Sequence, residues 1–226
     1  MIRYKVAFVL RLIDDYTGVC IRGIKFRFEV DGNEYRPIVK DEGLYVFLEP
    51  MASPVSVSIC GNGYYECSVQ VDKLALNPEE PIAEVRLYAQ VRSNLPYSYE
   101  TVCGKLEGFT GNRPQVVVAQ RARETGIILK EVKTIEGSTY LVCNGFTKEN
   151  LLGKVYTLHT GKKLDVFILT EKTGINEYKI EGKVEGKHIA GTPIKRAYRS
   201  VTDENGYYMI PVEVGEAEAI TSVIPS

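Results

Sequence analysis

Short segments in which apolar and polar residues alternate, separated by turn residues, are the feature that most limits how this chain can fold. In IKFRFEV (24–30) every second residue is apolar and the residues between are charged, and VSVSI (55–59) repeats the alternation. Such alternation places the apolar side chains on one face of a strand. Similar segments recur between turns such as DGN, DEG and GNG, and a spacing of about 8 to 12 residues is typical of antiparallel sandwiches.

We therefore predict an all-β chain, in which an antiparallel β-sandwich is followed by further β units. The polar, proline-bearing stretch VRSNLPYSYE contains the first boundary. It separates a sandwich over 1–94 from a middle β domain over 95–162, which is followed by a second β unit over 163–226. The middle domain and the second unit could also form one merged domain. Helical signals are confined to TKENLLGK (147–154) and VDKLALNPEE (71–80), each long enough for one or two turns.

Charge and hydropathy exclude two classes of partner. The 226 residues carry 28 basic and 29 acidic side chains, a net charge of −1, so we expect no nucleic acid and no anionic membrane surface as the main partner. No segment approaches the roughly 20 apolar residues that span a bilayer. The apolar run 6–10 is too short for a secretory signal and is predicted to be the first strand.

Cysteine usage indicates the compartment of synthesis. The five cysteines are odd in number and form no CxxC pair, which argues against a disulfide framework. We expect synthesis in a reducing cytoplasm, with later incorporation in a released particle left open.

Two acidic turns, each followed by an aromatic strand, indicate an internal repeat. The turn DENG (203–206) precedes YYMIPV, and the turn DEG (41–43) precedes LYVFL. In both places the chain runs strand, glycine turn, strand, acidic turn, aromatic strand. We expect the aspartate to accept hydrogen bonds from local backbone amides and the glycine to take the positive φ of a tight turn. The motif therefore predicts a β-turn that leads into a core strand.

A more specific pattern lies in the segment 180–212. A turn of the form G-x-P-I is followed there by a small-residue strand and then by T-D-x-x-G-x-Y. The matching residues are Gly191, Pro193, Ile194, Ala197, Thr202, Asp203, Gly206 and Tyr208. The segment resembles carboxypeptidase regulatory-like domains, which are transthyretin-like β-sandwiches, and the segment from Asp14 to Phe47 is a looser match. The resemblance implies a transthyretin-like N-terminal sandwich and a non-catalytic role, because such domains accompany enzymes, transporters and adhesins.

Val85–Tyr88 and Lys40–Phe47 are similar to β-sandwich accessory proteins of phage tails and contractile injection particles. This similarity implies a non-enzymatic structural or adaptor protein that binds other protein subunits, with self-association left open and no cofactor. The alternative is a carbohydrate- or surface-binding adhesin module, for which we expect a shallow groove with exposed tyrosines and carboxamides. A third hypothesis is a hydrolase with Cys103 or Cys143 as the nucleophile and His159 as the base.

The sequence contains no recognisable reactive motif, and we predict no catalytic, metal-binding or cofactor-binding residues. His159 and His188 have no carboxylate or second histidine at metal-ligand spacing. Cys103 and Cys143 lie in or beside strand patterns, where a buried thiol behaves as a small hydrophobic group. The paired carboxylates lie at turns, without the further oxygen ligands that a calcium loop supplies.

Fifteen tyrosines, with no tryptophan, are the most unusual part of the composition. Tyrosine is common both in sandwich cores and on recognition surfaces. Because several tyrosines cluster near turns, we predict a partner contact there. The predicted contact residues are Tyr97, Tyr99, Tyr207, Tyr208 and Met209.

Few residues follow Gly206, although a sandwich needs return strands to cover its core. Two outcomes follow for the segment 206–214. Either the middle segment, or the strand KLDVFILT (163–170), completes the sheet internally, or an open edge pairs with another chain. We favour internal completion, because natural proteins cover their sheet edges.

Overall fold

The computed structural model describes residues 5–40, 43–92, 95–111, 114–160, 163–185, 187–214 and 217–224, and these contain eighteen β-strands and no α-helix. The predicted all-β fold is therefore confirmed. The chain divides into two compact units. The first consists of Met1–Asp14 and Val19–Ala89, and the second of Asp15–Gly18 and Gln90–Ser226. The segments predicted as a middle domain and a C-terminal unit both lie within the second unit.

The first unit is a sandwich of a five-stranded and a four-stranded sheet. Its strands are β1 (Val6–Asp14), β2 (Val19–Cys20), β3 (Phe26–Val30), β4 (Asn33–Tyr35), β5 (Ile38–Lys40), β6 (Leu44–Leu48), β7 (Val55–Gly61), β8 (Cys67–Val71) and β9 (Ile82–Leu87). In the larger sheet β1 pairs antiparallel with β2 and β6 and parallel with β9, and β5 pairs with β6. The smaller sheet has the order β4-β3-β7-β8.

Aromatic rings fill the space between these two sheets. The ring centroid of Phe28 on β3 lies 4.8 Å from that of Tyr45 and 5.6 Å from that of Phe47, both on β6. All three side chains are buried, and burial of one such ring stabilises the fold by about 1.5–3 kcal/mol. The alternation in VSVSI is confirmed, because Val55, Val57 and Ile59 are all buried.

A buried carboxylate closes the end of β1. Asp14 is 4% exposed and accepts a hydrogen bond from the hydroxyl of Tyr64, with 2.6 Å between the oxygens. Tyr64 is held in place by an isolated bridge to Ala89. Burial, and then the neighbouring charge of Asp14, raise the pKa of Tyr64 well above its ordinary value. The phenol therefore stays protonated and remains the donor.

Six strands of the second unit pair in a closed ring. The strands of this unit are β10 (Glu100–Lys105), β11 (Val116–Ile135), β12 (Ser138–Gly145), β13 (Val155–Thr160), β14 (Lys163–Gly174), β15 (Glu177–Gly182), β16 (Pro193–Val201), β17 (Tyr207–Val212) and β18 (Ala217–Ile224). The ring runs β11-β12-β15-β14-β13-β16 and returns to β11. The first part of β11 also pairs with β18, and β10 pairs with β17 as a separate two-stranded sheet.

The ring encloses an apolar interior. Buried residues from all six strands contact one another there, including Leu129, Leu141, Leu158, Phe167 and Ile180. The long strand β11 pairs with β12, β16 and β18 within one seven-stranded sheet, and its register against β16 shifts between Gln120 and Ile128. A second cluster on the face of β11 and β16 is covered by β17.

The short segment Asp15–Gly18 is part of the second unit. The guanidinium of Arg199 forms a two-point ion pair with the buried carboxylate of Asp15. The guanidinium of Arg196, which is 2% exposed, donates to the carbonyl oxygens of Tyr16, Val155 and Ala197. The rings of Tyr198 and Tyr156 lie 4.8 and 5.8 Å from this guanidinium, so carbonyl oxygens and aromatic faces stabilise its charge.

The two predicted helical turns are absent. The segment 147–154 contains bends and a turn without helix, and so does the segment 71–80. In the first, Thr147 Oγ1 accepts from the backbone N–H of Glu149, and Asn150 Oδ1 accepts from that of Leu152. Such side-chain hydrogen bonds stabilise turns in competition with helix. The described residues contain no helix that is long and apolar enough to cross a membrane.

The predicted pairing of KLDVFILT beside the last core strand is wrong. This segment is the first part of β14, which pairs with β13 and β15 in the closed ring. The neighbour of β17 is β10, a strand from the segment predicted as the middle domain. The sheet that contains β17 has only these two strands among the described residues.

Candidate interaction surface on a two-stranded ribbon

Strands β10 and β17 form a short antiparallel two-stranded sheet, the ribbon. Its register pairs Val102 with Ile210, Cys103 with Met209, Gly104 with Tyr208 and Lys105 with Tyr207. Because side chains alternate along a strand, one face of the ribbon points to the protein core and the other points away from it.

The inner face of the ribbon is apolar and buried. Tyr208, Ile210 and Val212 pack with residues of β11 and β16, and Val102 is packed against the same cluster. Gly104 leaves room for the ring opposite it, since a Cβ at this position would lie 2.3 Å from the hydroxyl oxygen of Tyr208. Tyr208 was predicted to contact a partner, but it is 8% exposed and belongs to the core.

The outer face of the ribbon exposes two of the predicted contact residues. Tyr207 is 52% exposed and Met209 is 50% exposed. Cys103, opposite Met209, is exposed as well. The ammonium of Lys105 lies 4.9 Å from the centre of the Tyr207 ring. The face therefore combines an aromatic ring, a thioether, a thiol and one cation. Aromatic and methionine side chains are enriched at protein interfaces.

The acidic turn before β17 fixes where this face begins. Asp203 Oδ1 accepts hydrogen bonds from the backbone N–H groups of Asn205 and Tyr207, at 2.8 and 2.9 Å. Gly206 has φ +81°, and a Cβ there would approach the Phe109 ring to within 2.7 Å. The role predicted for both residues from the sequence is thus confirmed.

Tyr97 and Tyr99 lie in the segment just before β10 and are half-buried. The ring of Tyr97 stacks on that of Tyr16, with 4.3 Å between the centroids and 3° between the planes. The hydroxyl of Tyr99 donates to the carbonyl oxygen of Arg92. Both rings therefore organise the chain around them.

A hydrogen-bonded chain of Thr160, His188 and Asp165 was missed from the sequence. Thr160 Oγ1 lies 2.8 Å from His188 Nδ1, and His188 Nε2 lies 2.7 Å from Asp165 Oδ2. The spacing of Thr160 and Asp165 around the β13–β14 hairpin could have indicated their proximity, but His188 is brought in from another connection. The order of groups is that of a nucleophile, a base and an acid.

The surroundings of His188 favour a structural role for this chain. Its side chain is 0% exposed, and both ring nitrogens are engaged by Thr160 and Asp165. Leu158, two residues before Thr160, is part of the ring interior. The hydrogen-bonded side chains of Thr160, His188 and Asp165 therefore hold the connection between β15 and β16 against the β13–β14 hairpin.

The cysteines considered as nucleophiles occupy opposite environments. Cys143 is 3% exposed inside the closed ring, and burial raises the pKa of its thiol to about 12. A thiol with that pKa is almost entirely protonated at neutral pH and is a poor nucleophile. Cys103 is exposed on the ribbon, and within the described ranges no hydrogen bond joins it to His159, which lies opposite Leu164.

A shallow groove lies on the outer face of the smaller sheet of the first unit. Its polar lining consists of Arg27, Glu29, Glu34, Ser58, Cys60 and Glu66. This lining contains neither the exposed tyrosines nor the carboxamides expected of the adhesin alternative. Among the described residues, no three histidine, cysteine or acidic side chains are grouped so that they could hold a metal ion.

The fold and the ribbon define an all-β protein with antiparallel sheets and an exposed, partly apolar strand pair. No protein-family model, no curated protein and no solved structure matches the chain.

Proposed function

We propose that this chain is a non-enzymatic structural or adaptor protein that binds other protein subunits through the outer face of the ribbon. The observation that carries the proposal is the half-exposed pair Tyr207 and Met209, held on a two-stranded sheet with the exposed thiol of Cys103 beside them. Large apolar side chains at the centre of an interface supply most of its binding energy.

The packing of the ribbon supports this role. Its inner face is anchored in a core cluster by Tyr208, Ile210 and Val212, so the outer side chains project from a backbone that is packed on its other face. A preorganised surface loses little conformational entropy when it binds.

We also propose that the assembly is a phage-tail-like or contractile injection particle. The support is the similarity of Lys40–Phe47 and Val85–Tyr88 to accessory proteins of such particles. Carboxypeptidase regulatory-like domains, which the segment 180–212 resembles, are in general accessory modules, and this agrees with a role in binding.

Site-specific photocrosslinking in the organism of origin tests the proposal. A photoreactive amino acid replaces Met209 in one variant and Ile175 in a matched control, because Ile175 is a 95% exposed apolar residue outside the ribbon. We expect position 209 to give a covalent adduct with one or a few defined proteins, identified by mass spectrometry, and position 175 to give none of them.

The adduct at position 209 should weaken at least several-fold when Tyr207→Ala is added, because two neighbouring anchors contribute to one contact. The control substitution Val39→Ala, at another exposed apolar residue, should leave it unchanged. The absence of any defined adduct at position 209 would overturn the proposal. Enrichment of glycans on an array, with no protein adduct, would instead favour the adhesin alternative.

A further inference from the structure

The ribbon register shows which backbone groups point away from it. The backbone N–H of Leu106 donates to the carbonyl of Gly206 at 3.0 Å, which makes this a hydrogen-bonded pair. Hydrogen-bonded and non-hydrogen-bonded pairs alternate along an antiparallel ladder. The pairs of Gly104 and Val102 are therefore hydrogen-bonded within the ribbon. It follows that the N–H and C=O groups of Thr101, Cys103 and Lys105 point outward from the edge of β10.

The opposite edge of the ribbon, along β17, is unsuited to a further strand. Pro211 has no N–H to donate. The N–H of Tyr207 donates to Asp203 Oδ1, and its carbonyl accepts from the Asp203 N–H. Of the outward-pointing residues of β17, only Met209 keeps both backbone groups for another chain.

The edge of β10 is open along its full length. No hydrogen bond engages the outward groups of Thr101, Cys103 or Lys105 within the described part of the chain. The residues of this strand are exposed except Val102 and Gly104, which face inward. Lysine commonly protects an edge, but the Lys105 ammonium lies against the Tyr207 ring on the outer face and leaves the edge free. Among the other strands at sheet edges, β4 and β5 are three residues long and β8 is five, so these offer fewer hydrogen bonds, whereas β9 and β18 have six and eight residues.

We infer that β10 pairs antiparallel with β10 of a second copy of this chain, with Cys103 on the twofold axis. This inference rests on the proposed function and specifies one partner for the same ribbon. The hydrogen-bonding groups belong to odd-numbered residues, so two copies can pair only odd with odd. Placing Cys103 opposite Cys103 of the second copy also places Thr101 opposite Lys105, and every outward group of the strand is then paired.

Charge complementarity favours a second copy as the occupant. The strand begins with Glu100 and ends with Lys105, so antiparallel pairing brings the acidic end of each copy to the basic end of the other, with the two side chains on opposite faces of the strand. No like charges stand opposite each other, because Lys105 faces Thr101. A twofold pairing of this kind closes on itself and gives a dimer rather than a filament.

The first experiment measures the mass of the full chain by sedimentation equilibrium between about 1 and 300 µM, a range in which transient dimers dissociate. We expect a monomer–dimer equilibrium. Thr101→Lys places a like charge opposite Lys105 at both symmetry-related positions of the dimer, and it should weaken the dimer about two- to tenfold. Thr101→Glu places an opposite charge at the same two positions and should strengthen the dimer by a similar factor. Both substitutions are on an exposed side chain, and circular dichroism checks the fold.

The second experiment tests the register by oxidative cross-linking with copper phenanthroline. Paired Cα atoms in a hydrogen-bonded position are about 5.5 Å apart, which lies within the range of about 4.4–6.8 Å for disulfides. Cys103 should cross-link to itself across the dimer. In a Cys103→Ser background, Thr101→Cys mixed with Lys105→Cys should cross-link, and neither should do so alone.

A monomer at every concentration, or a dimer that ignores the charge at position 101, overturns the inference. In that case the photoadduct at position 209 still decides the proposed function separately. Cys103→Pro removes an outward N–H and none of the hydrogen bonds within the ribbon, and circular dichroism checks that the fixed φ of proline leaves the fold intact. If the chain stays monomeric and this substitution abolishes the photoadduct while Cys103→Ser retains it, the edge takes a strand from another protein and self-pairing is wrong.

Discussion

The hydroxyl of Tyr64 is expected to contribute measurably to the stability of the first unit. We expect Tyr64→Phe to lower the free energy of unfolding by about 1.5–3 kcal/mol, because the buried carboxylate of Asp14 loses a donor at 2.6 Å. Urea denaturation followed by circular dichroism measures the change. Tyr207→Phe is the control, since its ring is half-exposed, and it should change stability by less than about 0.5 kcal/mol. Equal effects of the two substitutions would contradict this account of Asp14.

Cysteine reactivity at the scale of single residues follows from exposure. With a chromogenic disulfide reagent at neutral pH, we expect Cys103 to react first and Cys143 to react only after denaturant is added. The reason is that Cys103 is exposed, whereas Cys143 is 3% exposed with a pKa of about 12. The fast phase should disappear in Cys103→Ser. A fast phase that persists in this variant would contradict the assignment.

Among the elements, the turn 203–206 sets the start of β17. We expect Asp203→Ala to destabilise the protein by about 1 kcal/mol, because two backbone N–H groups lose their acceptor. Asp203→Asn keeps a carbonyl oxygen in the same place and should recover at least half of the loss in urea denaturation. An asparagine variant as unstable as the alanine variant would show that charge, rather than hydrogen bonding, explains the effect.

The two acidic turns look alike in sequence but connect strands in different topological relationships. The first joins β5 to β6 within one sheet, as Lys40 pairs with Leu44, although Asp41 and Glu42 lie outside the described residues. The second carries the chain from the closed ring to the ribbon, because Val201 pairs with Val116 and Tyr207 pairs with Lys105. Similar local motifs therefore serve two topologies.

Local patterns predicted the strands but not the pairings. Alternation identified β3 and β7, and turn chemistry identified Asp203 and Gly206, because those signals come from neighbours in the sequence. The partner of β17 could not be derived, since it depends on contacts between segments about a hundred residues apart. Whether Tyr207 or Tyr208 faces outward depends on packing between the same distant segments. The hydrogen bonds that join Thr160, His188 and Asp165 also depend on packing between separate parts of the sequence.

At the scale of the whole molecule, buried tyrosines make stability sensitive to alkaline pH. Burial is the main reason that the pKa values of Tyr64, Tyr156 and Tyr198 are raised above the ordinary 10.0. Above pH 10 the unfolded chain releases protons that the folded chain retains. The free energy of unfolding should therefore fall as the pH rises beyond 10, by up to about 1.4 kcal/mol per pH unit for each such group.

Urea denaturation at pH 8, 9.5 and 10.5 measures this dependence, and absorbance at 295 nm reports ionisation of the phenols. Tyr156→Phe should flatten the fall in stability above pH 10, because one proton no longer contributes. Complete ionisation of all tyrosines in the folded protein would contradict the prediction.

The segment Asp15–Gly18 also decides how the chain can be dissected. A fragment that begins at residue 90 keeps every strand from β10 to β18, yet it lacks the carboxylate that neutralises Arg199 and the Tyr16 carbonyl that receives Arg196. Two cations would then be left in the interior with fewer acceptors. Cloning the second unit at its apparent start should thus yield a poorly soluble product, and these four early residues would have to be supplied for it to fold.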